Sequence, residues 1–348
     1  MGVQIQSDTD GSLKVVTPIE DSPAWRARIR AGEIITHVNG RNVKGISVNQ
    51  AVKIITRPPN TEVTLTIRNP AGESREGTLK RQTIKVASLK GWLHLPGGGC
   101  DYFIDPDNKI AYLRLTNFSR DTSRELNSAL RELNARGAKG VVLDLRYNPG
   151  GLLAAAADVS DAFLRDGEIV STRSDRPDDP NQPTLSARRL SNDTDLPLVV
   201  LVNQYSASAS EIVSGAMRER QRGLVVGERT FGKGSVQMLF PLANRSAYLK
   251  LTTSHYYLPG GKNIHRDESS TEWGVDPHVV IEMTPEQMRA AIDARSKLDV
   301  LRDPEEAGIA AADAEVVREA EQSLLASDPQ LTAALLLLRM HLAGAPLM

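Results

Sequence analysis

From Val3 to Ile67 the apolar residues come at two spacings. Val3 and Ile5, the stretch Leu13 to Val16, and Val63, Leu65 and Ile67 alternate with polar neighbours, the pattern of strands with one buried face. Asp10-Gly11 and Asn39-Gly40 supply turn pairs, and Glu33 to Val38 reads as a further strand. Val48, Ala51, Val52 and Ile55 repeat at helical spacing behind Ser47, with Pro58-Pro59-Asn60 as the stop. Ser22-Pro23 opens a shorter helix, with Ser as cap and Pro in the first turn. These elements predict a small β-rich domain over residues 1–85.

Beyond residue 86 the pattern changes. Val141 to Leu145 and Leu196 to Val202 are short, mostly apolar runs, suited to strands covered on both faces. Ile110 to Leu115, Ile169 to Thr172, Leu224 to Gly227, Leu249 to Tyr257 and Val279 to Met283 add strands. Between them lie helices over Thr122 to Arg136, Leu152 to Leu164 and Ser208 to Arg222, while Arg173 to Asp195 reads as a long polar loop. Strand–helix–strand repetition predicts right-handed crossovers and an α/β core over 86–283. The remainder, 284–348, is a helical tail. Thr284-Pro285 and Asp328-Pro329 begin helices there. The last helix is apolar almost all round, which points to burial or to a partner subunit; a homodimer through the terminal helices is the corresponding expectation.

Composition narrows the partners. A net charge of −1 offers no electrostatic footprint for nucleic acid. The single cysteine, Cys100, cannot form an internal disulfide, and with scattered histidines it makes no metal-site pattern, so neither metal nor cofactor is expected. No apolar run approaches the roughly 20 residues of a membrane span, and no signal peptide is visible at Met1.

The candidate chemistry lies between Val202 and Gln237. Ser208 follows a buried strand and stands among small residues at a helix start. By itself, Ser208-Ala209-Ser210-Glu211 reads as a capping box. Helix-start N–H groups also attract negative charge, so the Ala209 N–H can serve an oxyanion. Lys233 stands between two glycines in Thr230-Phe231-Gly232-Lys233-Gly234, without the spacing of a phosphate-binding P-loop. No G-x-S-x-G elbow and no convincing histidine partner is present, which leaves a Ser–Lys pair as the route to acyl transfer. A lysine serves as a base only where its surroundings disfavour its charge. Phe231, Val236 and Ile212 are the candidates to dry that pocket, and Gln237 is placed to orient the amine.

Two motifs turn these readings into a resemblance. Ser206 to Glu211 (S-A-S-A-S-E) followed by Thr230 to Gln237 (T-F-G-K-G-S-V-Q) is similar to the active-site region of the carboxyl-terminal processing proteases, also called tail-specific proteases. Leu145 to Gly151 matches their L-R-x-N-P-G-G pattern, and Leu251-Thr252-Thr253, Tyr257-x-Pro259 and Gly274-x-x-Pro277 match later landmarks. The order of elements from Gly2 to Ile84, above all Ser22 to Gly40, resembles a PDZ domain. Arg28 stands where such domains usually carry glycine, Tyr205 where the protease family often does, and Arg266 to Trp273 looks like an insertion.

The resemblance implies an N-terminal PDZ-like domain, an α/β core of crotonase/ClpP-like layout and a serine endopeptidase that cleaves protein substrates near their C-termini. Ser208 would be the nucleophile, Lys233 the base 25 positions further on, and Gln237 its orienting group. Gly151 and Ala209 would form the oxyanion hole. The PDZ-like domain would select substrates or gate the site, taking exposed peptide C-termini against Gly2, Val3, Gln4 and Ile5, with Val48, Val52 and Ile55 lining the side-chain pocket. Family members are exported, periplasmic or membrane-associated, which makes this chain a trimmed version of such a protein. The alternatives are a non-catalytic peptide- or lipid-binding module on the same fold and, more distantly, an acyl-CoA enzyme.

Overall fold

The structure is a computed structural model. It describes all residues except 9, 20–21, 85, 96–98, 175, 177–181, 189–193, 243–246, 301–309 and 348, with backbone only at 310–314. The chain divides into two compact units. One comprises residues 1–86, 93–101 and 292–322, the other 87–92, 102–291 and 323–348.

The first unit opens with β1 (Val3–Ser7), β2 (Leu13–Pro18), α1 (Pro23–Arg26), β3 (Ile34–Val38), β4 (Arg41–Asn42), α2 (Val48–Ile55), β5 (Glu62–Arg68) and β6 (Ser74–Lys80). The sheet runs β1-β2-β3-β5-β6, with β4 on β3. Alternation does what it predicts: Leu13, Val15, Ile35, Val38, Val63, Leu65 and Ile67 point into one core, shared with Ala51 and Ile55 of α2. Ser22 caps α1 through the Trp25 N–H at 3.1 Å. Ser47 and Gln50 form a reciprocal capping box on α2. The buried Arg81 side chain closes the other end of α2, its Nε donating to the Ile55 carbonyl at 2.8 Å. Arg28 ends α1 in a left-handed conformation, φ 54°, the task glycine usually performs. Arg75 donates to the carbonyls of both Ala27 and Arg28 and so holds that turn.

Four short strands follow, β7 (Leu89–Lys90), β8 (Leu93–His94), β9 (Cys100–Asp101) and β10 (Phe103–Asp105); β8 and β9 pair with each other. The second unit continues with β11 (Ile110–Leu115), α3 (Thr122–Ala135), β12 (Gly140–Asp144), α4 (Leu153–Asp161), β13 (Gly167–Ser174), β14 (Thr184–Ala187), β15 (Leu198–Val202), α5 (Ala209–Glu219), β16 (Leu224–Gly227), β17 (Ser235–Pro241), β18 (Tyr248–Tyr257) and β19 (Val279–Val280). Then come α6 (Pro285–Leu298), α7 (Ala310–Ser327) and α8 (Pro329–Leu342). The main sheet has the order β10-β11-β12-β15-β16-β19, parallel from β11 to β19.

Apolar runs become central strands because both faces are covered. Val141, Leu143, Leu198, Val200, Val202 and Val225 join the core made with α3, α4 and α5. Their neighbours Val142, Val199, Leu201 and Val226 are equally buried on the other face. There α8 packs against β12, β15 and β16, burying Leu331, Leu335 and Leu338 while Leu336 and Met340 stay exposed. A second sheet, β14-β13-β18-β17, stands beside the first. β14 falls in the segment read as loop from Arg173 to Asp195, much of which lies outside the described residues. β17 falls where the sequence reading has no strand.

Candidate active site

The two glycine- and serine-rich turns sit at the C-terminal ends of β12 and β15, adjacent parallel strands. That is where open α/β sheets place their binding crevices. The chain leaves β12 through Arg146 to Gly151 and leaves β15 through Asn203 to Ser208, and buried side chains lock the two turns together. Asn148, fully buried, donates through Nδ2 to the Leu115 carbonyl at 2.9 Å and accepts the Gly150 N–H at 2.9 Å. Its own carbonyl accepts the Ala207 N–H at 3.0 Å and the Ser210 hydroxyl at 2.9 Å. Ser206 Oγ donates to the Leu145 carbonyl at 2.9 Å, and Asn203 Oδ1 accepts the Tyr147 and Tyr205 N–H groups, both at 3.1 Å.

Ser208 emerges from this lattice with φ 57° and ψ −113°, outside the comfortable range for a residue with a side chain. Such a conformation costs on the order of 1–3 kcal/mol and persists only where neighbours enforce it. It is the N-cap of α5 and forms a capping box with Glu211, whose side chain accepts the Ser208 N–H at 2.7 Å. The Glu211 N–H also lies 2.8 Å from the Ser208 carbonyl. The capping box read from the sequence is thus present. Gly150 lies against Ser208: a Cβ there would meet Ala207 O at 2.7 Å and Ser208 Cβ at 2.8 Å. A Cβ on Gly151 would meet Phe118 O at 2.1 Å. Neither the Gly151 nor the Ala209 N–H has a hydrogen-bond partner among the described residues. Gly151 is exposed and Ser208 is half-buried, so the turn offers two N–H donors beside the serine hydroxyl.

The lysine loop is tied to the serine turn by one carboxylate. Glu211 is fully buried. Its Oε1 accepts the Thr230 hydroxyl at 2.7 Å and the Gly232 N–H at 2.6 Å; its Oε2 accepts the Ser208 N–H at 2.7 Å and the Lys233 N–H at 2.8 Å. Burial pushes the Glu211 carboxyl up, against the opposing pull of these four donors. Because Ser208 and Lys233 share Oε2, the two distances of 2.7 and 2.8 Å keep their backbone nitrogens within 5.5 Å of each other. That is well inside the reach of a four-carbon lysine stem. The Phe231 N–H to the Ser206 carbonyl, 3.0 Å, adds a second tie.

The side chains are less gathered than the backbones. Lys233 is exposed, and no hydrogen bond joins its amine to Ser208 Oγ or to Gln237 among the described residues. Gln237 lies on β17 opposite Thr252 and is exposed. Of the expected drying residues, Ile212 is buried, Val236 is half-buried and Phe231 is 54% exposed. The guanidinium groups of Arg229 and Arg266 each lie over the ring of Trp273, in the segment read as an insertion, at 4.4 and 4.5 Å from its centroid.

Behind the serine turn lies a buried ionic network that sequence reasoning missed. Arg146 grips Asp144 through Nε at 3.0 Å and Nη2 at 2.7 Å, and reaches Asp328 at 2.8 Å. The Tyr112 hydroxyl donates to Asp144 at 2.8 Å. Burial alone would raise the Asp144 carboxyl, but the Arg146 charge and the hydrogen bonds outweigh it and hold it below the usual range. In front, exposed Tyr147 and Tyr205 stack at 5.6 Å between ring centroids. L-D-L-R beside the glycine turn was the available signal for the network; its third member comes from a helix 182 residues away.

In the other unit a cavity of about 290 Å³ lies between β1 and α2. Gly2, Val3, Ile5, Val52 and Ile55 line it, together with Arg81; Gln4 and Val48 are outside its lining. β1 is the edge strand of its sheet.

Comparison with known proteins fits both units. A family model described as peptidase family S41 matches residues 109–281, and one described as a PDZ domain matches residues 14–69. A solved structure titled photosystem II D1 C-terminal processing protease is 31% identical, over 81% of this chain and 72% of its own, with a TM-score of 0.46. The chain belongs to peptidase family S41. Among S41 relatives, the carboxy-terminal-processing protease of Bartonella bacilliformis is 38% identical over 81% of this chain and 61% of its own length. The corresponding figures for carboxy-terminal processing protease CtpA of Bacillus subtilis are 34%, 81% and 56%. The chain thus spans about three-fifths of the curated relatives it matches. A putative S41 protease from Bacteroides fragilis, 16% identical, shares the fold over 92% of this chain and 80% of its own, with a TM-score of 0.55. No helix among the described residues is long and apolar enough to cross a membrane.

Proposed function

We propose that this S41 member is a serine endopeptidase in which Ser208 attacks the peptide carbonyl and Lys233 is the general base. The observation that carries the reading is the single Glu211 carboxylate oxygen holding the Ser208 and Lys233 backbones within 5.5 Å. With both backbones fixed, alignment of the dyad needs only rotation of the lysine side chain. Lys233 takes the hydroxyl proton as the Oγ–carbon bond forms and returns it to the leaving amine; water then releases the acyl group by the same route. The unpartnered Gly151 and Ala209 N–H groups are the donors for the oxyanion. Gln237 orients the amine once a substrate lies over the loop and excludes water from the exposed Lys233.

The PDZ cavity supports substrate selection by C-terminus. An extended peptide adds to the free edge of β1 and places an apolar side chain against Val52 and Ile55. Substrates are accordingly proteins or peptides with exposed C-termini, and an exported setting follows from the family resemblance alone.

The test is cleavage of a peptide with a free C-terminus by the full chain, by Ser208→Ala and by Lys233→Ala. Both variants are expected to lose cleavage while remaining folded; full activity in either one sinks the dyad. The exposed Lys233 favours one competing reading, a non-catalytic binding module. A folded sample that is never labelled by a serine-directed acylating probe, with or without substrate peptide, would establish that reading instead.

A further inference from the structure

Arg266 opens the segment read as an insertion and lies against the lysine loop. Its N–H donates to the Gly232 carbonyl at 2.9 Å. A Cβ on Gly232 would meet Arg266 Cβ and Trp273 Cδ1, each at 2.7 Å, so segment and loop touch one residue before Lys233. The Arg266 guanidinium lies 4.5 Å from the centroid of the Trp273 ring. That contact restrains a long side chain through its face and leaves the rim of its planar fork of donors for a partner. Arg229, 4.4 Å from the same centroid, is already paired with Asp276, and Lys262 reaches that carboxylate at 3.7 Å. Arg266 is exposed and has no ion-pair partner among the described residues. Of its acidic neighbours in sequence, Asp267 accepts the Ser269 N–H and hydroxyl at 2.8 and 2.7 Å, and the exposed Glu268 and Glu272 form no ion pair with it.

The reaction says what passes this guanidinium. As the base, Lys233 returns a proton to the leaving amine, which therefore comes within hydrogen-bond reach of the lysine, about 2.6–3.2 Å. The leaving segment of the substrate runs on from that nitrogen, beside the loop that Arg266 flanks. A guanidinium without a partner there favours a carboxylate, which can accept two parallel hydrogen bonds from its fork. We propose that Arg266 is a specificity-determining residue that takes a carboxylate on the leaving segment of the substrate. That carboxylate is an acidic side chain or, where the cut falls within a few residues of the end, the C-terminus itself. The inference rests on the reading of Lys233 as the base. It gives the active-site loop a preference of its own, separate from that of the PDZ cavity.

The test compares kcat/KM of the full chain on three peptides built on one cleaved sequence. The first has a neutral leaving segment with an amidated end, the second adds one glutamate to that segment, and the third is the neutral segment with a free C-terminus. At least one of the two carboxylate peptides should be cleaved about fivefold better than the neutral one, chiefly through KM, and the advantage should shrink in salt. Which of the two gains tells whether a side chain or the C-terminus is read. In Arg266→Gln the ratio should fall to near one. In Arg266→Glu a lysine in the leaving segment should replace glutamate as the favoured residue. Circular dichroism verifies that both variants are folded. The inference is overturned if neither carboxylate peptide is preferred, or if the preference survives in Arg266→Gln, which would assign it to the PDZ cavity; the dyad stands in both cases. Full activity of Ser208→Ala or Lys233→Ala on the same peptides would instead remove the dyad, and this inference with it.

Discussion

Ser208 and Lys233 donate their backbone N–H groups to the same oxygen of the Glu211 carboxylate, at 2.7 and 2.8 Å. Glu211 thus fixes the distance between two segments that no strand pairing connects. Glu211→Gln keeps the shape but turns an amide NH2 towards two N–H donors. Each buried donor left unsatisfied costs about 1–3 kcal/mol. The expected outcome is a fall in kcat of about tenfold or more with KM little changed, read in a peptide-cleavage assay.

The same carboxyl gives a pH signature. Burial raises it, so the folded chain keeps its proton over a range in which the unfolded chain has released it. Its contribution to stability is complete below the ordinary glutamate value and is lost as pH rises through the raised one. Urea unfolding between mildly acidic and neutral pH, followed by hydrogen exchange of β15 amides, should show this decline in the parent and a flatter profile in Glu211→Gln.

Asp144 works with the opposite sign. It is held below the usual range, so its stabilisation is present above the unfolded value and disappears as pH falls through the folded one. Asp144→Asn strips the buried Arg146 of its bidentate partner and leaves only Asp328 and Gln330. Breaking a buried pair typically costs about 3–5 kcal/mol. Melting at neutral pH should fall sharply in this variant, and the difference from the parent should shrink in acid.

Gly150→Ala tests the contact between the two turns. Its Cβ would fall 2.7 Å from Ala207 O and 2.8 Å from Ser208 Cβ, at φ 99°. Those neighbours are backbone and a Cβ, which cannot step aside cheaply. Acylation of Ser208 by a fluorescent probe should drop more than the melting temperature does, since the clash falls on the serine itself.

Arg28→Gly should stabilise the first unit. Relief of a left-handed arginine is worth about 1–2 kcal/mol, against about 0.5–1 kcal/mol of extra chain entropy for glycine in the unfolded state. Slower hydrogen exchange of the α1 amides is the expected reading.

What the sequence shows depends on where the water is. β12 and β15 are legible because burial on both faces makes Val141 to Leu143 and Leu198 to Val202 continuously apolar, and β2 and β5 because burial on one face makes them alternate. β6 buries only Leu79, and β17 no side chain fully, so neither leaves a period to read. Motif spacing marked Ser208, Lys233 and the Gly150–Gly151 turn as candidates. It could not show what Glu211 does. Ser-x-x-Glu reads as a helix cap, and three of the four donors that the carboxylate collects arrive from residues 208, 232 and 233 as backbone N–H groups, which carry no sequence signal.

The lattice around Asn148 has a consequence for the order of events during folding. The positive φ of Ser208 is held by a lattice that includes Leu115, Leu145 and Asn148, the first from β11 and the other two from the turn after β12. Until β11, β12 and β15 have registered, nothing forces φ 57° on a serine, and the residue relaxes to an ordinary helix start. A chain in which these strands have not yet paired therefore holds the serine without its turn geometry, and the candidate site is completed only as the last of the three strands joins the sheet.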